Sequence, residues 1–151
     1  MVPTIQSSII EKIGELGQIK VRRYYGELGD PEHPVLASGE LPLVLVDFVG
    51  DDPKGLQETD LQFNLYISHL SLSKHLDARA QRHDEALDLL DRIDRAILLL
   101  DLDEGILRLG RLKKIYDARS EKGYLSIFMR QVYVRSRRDW QLDRLDSIAT
   151  I

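Results

Sequence analysis

Two long runs of strand-forming residues lie almost end to end, ILRLGRLKKIYDAR (106–119) and YLSIFMRQVYVRSRR (124–138). Only the polar turn SEKG separates them. Strands joined so tightly pair with each other, so the spacing predicts an antiparallel hairpin of about 106–118 with 123–135. A hairpin alone is marginal in water and needs further strands or a helix to cover one face. The chain supplies both.

Immediately before the hairpin, HDEALDLLDRIDRAILLL (83–100) has helical periodicity. Leu87, Leu90, Ile93, Ile97 and Leu100 are expected as its buried stripe. Asp84 and Glu85 suit the first turn of that helix, where carboxylates favour the dipole. Asp88–Arg92 and Asp91–Arg95 are i, i+4 pairs. The acidic DLDEG (101–105) ends it.

Towards the N-terminus, residues 3–16 read as a second helix with Ile5, Ile9, Ile13 and Leu16 on one face, Pro3 in its first turn and Gly17 as a stop. QIKVRRYY (18–25) alternates weakly and reads as a strand. GELGDPEHPVLASGE (26–40) reads as a long loop. LPLVLVDFV (41–49) has no polar face, which predicts a central strand covered on both sides, and GDDPKG (50–55) a turn. In DLQFNLYISHL (60–70) Leu61, Phe63, Leu65 and Ile67 alternate with Gln62, Asn64, Tyr66 and Ser68, as in a half-buried strand. Residues 71–82 read as a polar connector.

The expected fold class is therefore α+β. A single domain over 1–138 carries a mainly antiparallel sheet with two helices on one face, in the order α-β-β-β-α-β-β, followed by a C-terminal tail at 139–151 that packs on a neighbouring subunit. The N-terminus lacks the pattern of a signal peptide, and no apolar run approaches a membrane span, so no membrane partner is expected.

Catalytic patterns are weak. His69, His75 and His83, with Asp77 and Asp84, have no local metal-ligand spacing, and a solvated connector explains them better. Asp101, Asp103 and Glu104 resemble part of a calcium loop, but the chain then turns to ILRLGRL instead of supplying the remaining ligands. GELGD lacks the Lys-Ser/Thr and helix of a phosphate cradle, and Ser7 and Ser8 have no glycine elbow. The reading is of a protein that is not an enzyme, with no cofactor, no metal and no catalytic residues.

Charge says more. The net charge of −4 argues against binding nucleic acid over the whole surface. Yet Arg108, Arg111, Lys113, Lys114 and Arg119 lie on one strand of the hairpin, and Arg130, Arg135, Arg137 and Arg138 on or beside the other. Tyr116, Tyr124 and Tyr133 are interleaved, and Trp140 lies just beyond. Such a patch suits phosphates or an acidic protein surface, and acidic residues in 30–60 and 84–104 offer one. Basic and acidic regions on one chain suit head-to-tail association into a ring. Arg135, Arg137, Arg138 and Trp140 are the candidate protein-interface residues.

Taken together, an N-terminal helix, LPLVLVDFVG, DLQFNLYI, the helix with ALDLLD, and YDAR ahead of LSIFMRQVYVR resemble the phage Mu-like prophage tail protein family. More distantly they resemble the tail-terminator proteins of long-tailed phages. The likeness spans about residues 1–138. It implies an α+β subunit of a homohexameric ring, assembled in the host cytoplasm and resident in the virion tail. The ring caps the tail-tube protein and meets head-completion or connector protein, with sheath protein as a further candidate partner. DNA passes through the lumen without specific binding, which an acidic subunit favours. The loop 26–40 and segment 71–82 are the expected contacts with tube, sheath or connector. Two other readings stay open: a nucleic-acid-binding module using the hairpin 106–138, and a small hydrolase or metal enzyme built on His69, His75 and His83.

Overall fold

A computed structural model of the chain describes residues 2–26, 41–55, 58–71, 79–98, 100, 102, 105–120 and 123–137. Its elements are α1 (Val2–Gly14), β1 (Lys20–Arg23), β2 (Leu43–Pro53), β3 (Glu58–Ser71), α2 (Arg79–Leu98), β4 (Gly105–Ser120) and β5 (Gly123–Arg137). The strands form one five-stranded sheet in the order β1-β2-β3-β5-β4. The β1–β2 pair is parallel and the other three are antiparallel. The α+β class, the single domain and the element order are those expected from the sequence.

Both helices cover the same face. Ile5, Ile9 and Ile13 of α1 and Leu89, Leu90, Ile93 and Ile97 of α2 share one core with Val44, Val46, Leu61, Phe63, Leu65, Ile67, Phe128, Val132 and Val134. Burying side chains of this size stabilises by about 1.5–3 kcal/mol each before chain entropy is counted. Register continues the helix-facing rows across the hairpin, as in Leu61–Val134–Leu107 and Phe63–Val132–Leu109. Helix α1 tapers through the bonds from Glu15 N to Glu11 O and from Leu16 N to Ile13 O, and the left-handed Gly17 (φ 73°) turns the chain into β1.

Helix α2 departs from its expected stripe at one residue. Leu87 is 43% exposed, whereas Ala86 and Leu89 are buried. At 100° per residue, Ala86 points about 20° from Ile93 and Leu87 about 120° from it. The small Ala86, and not the larger Leu87, therefore joins the core. Leu100 packs on the same core, as expected.

Strand β2 also runs further than expected, through Gly50 and Asp51 to Pro53. A register shift between Phe48 and Gly50 leaves Val49 as the extra residue and lets Gly50 to Pro53 go on pairing, so only Lys54 and Gly55 of GDDPKG are described residues outside the strand. Leu43 to Val46 are buried on both faces, as expected, but the middle strand of the sheet is β3. There Leu61, Phe63, Leu65 and Ile67 meet the helices, while Asn64 and Ser68 on the opposite face are buried too. Leu43 and Leu45 form a second, small cluster on that opposite face with Tyr24, Leu41 and Tyr66. The rings of Tyr24 and Tyr66 stand 4.9 Å apart.

Candidate interaction surface

The hairpin assembles as expected, but pleating and two bulges divide its cations among three environments. The bulges lie between Leu109 and Leu112 and between Lys114 and Tyr116. Each changes which face the next residues occupy. Leu112 therefore joins the helix-facing core beside Leu107 and Leu109, and Lys113 turns to the other face opposite Met129.

Arg130 faces the helices. Its Nε donates to Asp94 Oδ1 at 3.1 Å, its Nη2 donates to Asp94 Oδ2, and its Nη1 donates to Gly110 O at 3.1 Å. The two side chains are 13% and 16% exposed, so this is a pair inside the protein and not part of a surface patch.

Arg108 and Arg135 lie on the opposite face and converge on Asp60, whose side chain is only 4% exposed. Arg135 Nε donates to Asp60 Oδ1 at 2.9 Å and Nη2 to Oδ2 at 3.2 Å. Arg108 Nη2 donates to Oδ2 at 3.0 Å. Arg135, with support from Arg108 and Lys54, holds the Asp60 carboxyl below the usual carboxylate range despite its burial. Arg108 also stacks on the Tyr133 ring at 5.8 Å.

Near the turn, Lys114 Nζ lies 3.3 Å from Asp117 Oδ2 and 5.6 Å from the Phe128 centroid. Burial pushes the Asp117 carboxyl up, but bonds from Ser126 Oγ and Lys114 outweigh it and leave the group lowered. What remains is Arg111, Lys113 and Arg119. All three are exposed on β4 and form no ion pair among the described residues.

Strand β4 is an edge of the sheet. Among the described residues it pairs with another strand on one side only, and its outer side is met at Gly105 alone, whose N–H donates to Leu102 O at 3.2 Å. Its lysines, arginines and bulges are the usual devices that stop such an edge from recruiting strands indiscriminately. Gly110, in the first bulge, is required by packing: a Cβ there would lie 2.5 Å from the Tyr133 ring.

The expected interface residues fare unequally. Arg135 is bound to Asp60, with Glu58 3.8 Å away. Arg137 ends β5 opposite Glu58, and its side chain, like Arg138, Trp140 and the tail 139–151, lies outside the described residues. So do 27–40, 72–78, Asp101, Asp103 and Glu104. His75 is among them, which leaves two of the three clustered histidines. His69, half-buried in β3, has Nε2 3.9 Å from Glu85 Oε2 of α2, and burial lowers its pKa against the pull of Glu85. His83 is exposed on α2. Among the described residues no group of three His, Cys, Asp or Glu converges as metal ligands, and no helix is long and apolar enough to cross a membrane.

The Asp60 and Asp94 anchors were not expected from the sequence. Asp60 was legible only as the first residue of an alternating strand, and Asp94 as a polar member of an amphipathic helix. No family model matches the chain, and no curated protein matches it.

Proposed function

We propose that this protein is a structural subunit of a phage tail or phage-like particle, a tail terminator or tail-completion protein that works as a ring. The ring would cap the tail tube and join it to the head connector by shape and charge complementarity. The observation that supports it best is the outer edge of β4, a long strand carrying Arg111, Lys113 and Arg119 with no strand paired beyond Gly105 on that side among the described residues. A surface of strand backbone and arginine fits a protein partner, because a neighbouring strand satisfies the backbone while acidic groups satisfy the cations.

The rival reading, a nucleic-acid module, needs the cations to act together. Arg108 and Arg135 are held by Asp60, Arg130 by Asp94 and Lys114 by Asp117. That division leaves a thin basic edge where the module needs a broad patch, and phosphate binding scales with the number of cations in contact.

Light scattering across a concentration series, with negative-stain images of the same sample, tests the proposal. A closed six-fold ring is expected. A monomer at every concentration, binding DNA with a steep salt dependence, overturns it in favour of the rival.

A further inference from the structure

The sheet ends in two unlike edges. One is β4. The other is composite, because β1 covers β2 only from Leu43 to Val46. The last bond there runs from Tyr24 N to Val46 O. Beyond it, Asp47–Pro53 of β2 has no strand on its outer side among the described residues.

Register sets these two open stretches at the same height. Asp52 is level with Asp60, Arg135 and Ile106. Gly50 is level with Gln62, Tyr133 and Arg108, and Phe48 with Phe63, Val132 and Leu109. The open part of β2 from Asp47 to Asp52 thus matches Ile106–Arg111 of β4, Gly105 being bridged to Leu102. Three successive antiparallel pairings separate them, so β2 and β4 run in opposite directions. Placing a second copy beside the first, with its strands keeping their direction, brings β4 of one against β2 of the next as an antiparallel pair.

Their side chains are complementary on both faces. On the helix side, Phe48 is 36% exposed and stands edge-on to Phe63, while Leu107 and Leu109 are half-buried on β4. On the opposite side β2 offers Asp47, level with Gln131 beside the Arg111 bulge, and β4 offers Ile106, 72% exposed, while Asp52 and Arg108 are already paired within one chain with Lys54 and Asp60. Arg111 sits in the bulge at the end of this stretch. Below it the complementarity stops, because Arg22 of β1 is level with Lys113. Like charges directly opposite destabilise a strand pair, which confines the contact to the upper half of the edge.

We propose, on the basis of the ring-forming reading above, that a second copy of this chain seats Asp47–Asp52 of its β2 against Ile106–Arg111 of β4. The contact is heterologous, so an open oligomer keeps one free edge of each kind, at its two ends, until rotation closes the ring.

The chain has no cysteine, which makes a clean test possible. Asp52 and Ile106 stand three strand spacings apart within one chain, about 14 Å, too far for a disulfide. Between copies the proposal brings them together. In a protein carrying both Asp52→Cys and Ile106→Cys, mild oxidation is expected to give a covalent ladder ending at the ring size, while either single variant stops at dimers. Arg111→Glu in the native background is expected to weaken association about fivefold while leaving the circular dichroism spectrum of the folded chain unchanged. A ring of normal size in which the double variant gives no ladder overturns the edge pairing and leaves the ring reading standing. A monomer at all concentrations overturns both.

Discussion

Arg130 of β5 and Asp94 of α2 clasp the helix layer to the sheet, with two guanidinium bonds to one carboxylate and a third to the carbonyl of Gly110. The same arginine thus ties together α2, β5 and the first bulge of β4. Both partners of the pair are largely shielded from water, so neither is well solvated alone.

Removing Asp94 by Asp94→Ala should cost about 3–5 kcal/mol in urea unfolding, because a buried guanidinium loses its counter-charge. Replacing both partners with Asp94→Leu and Arg130→Leu should cost clearly less, since no uncompensated charge remains. Equal losses in the single and double variants would show that packing, and not charge, dominates at this site.

Asp60 makes stability fall at low pH. Its folded pKa lies below the ordinary value of 3.8, so its stabilisation is present above that value and lost as pH drops through the folded pKa. Denaturation curves at pH 7 and pH 3 should converge for Asp60→Asn more than for the native chain. At pH 7 the substitution should cost about 1–3 kcal/mol, the usual loss when charged hydrogen bonds weaken.

His69 acts in a higher window. Burial lowers its pKa from 6.5, so the unfolded chain takes up a proton before the folded one does. Stability contributed by the neutral ring is full above about pH 6.5 and falls as the pH drops below it. His69→Gln should flatten the melting temperature between pH 7 and pH 5, leaving the Asp60 effect at lower pH intact. An unchanged slope in that range would count against His69 as its source.

The two faces of α2 should respond differently to truncation. Ile93→Ala, at a fully buried site, should lose about 2–5 kcal/mol. Leu87→Ala should stay within about 0.5 kcal/mol in the isolated chain, as exposed substitutions usually do. Chemical denaturation of both variants under one condition decides the matter.

Gly110→Ala should destabilise the hairpin, because its Cβ would press on the Tyr133 ring and on Gln131 Cβ. Proton exchange at the β4 amides should rise while α1 stays protected. Protection unchanged along β4 would mean that the Tyr133 ring moves aside freely.

Much of this architecture comes from local pattern. The period of Ile5, Ile9 and Ile13 makes α1 one-sided, and the alternation of Leu61, Phe63, Leu65 and Ile67 aims β3 at the helices. The short link between two strand-rich runs leaves an antiparallel hairpin as the direct solution. These are near-neighbour properties, and the sequence by itself determined them along with the α+β class. Which strands would be neighbours was left to the tertiary structure: β5 inserts between β3 and β4, and β1 pairs parallel with β2. So was the fate of the cations. A row of Arg and Lys on two strands reads as one patch, yet a bulge at Gly110–Arg111 changes the facing of the residues beyond it, and Asp60 and Asp94 take up three of the arginines. The physical reason is that a charge spends its field on whatever carboxylate lies within a few ångströms, and that partner is 48, 75 or 36 residues away along the chain.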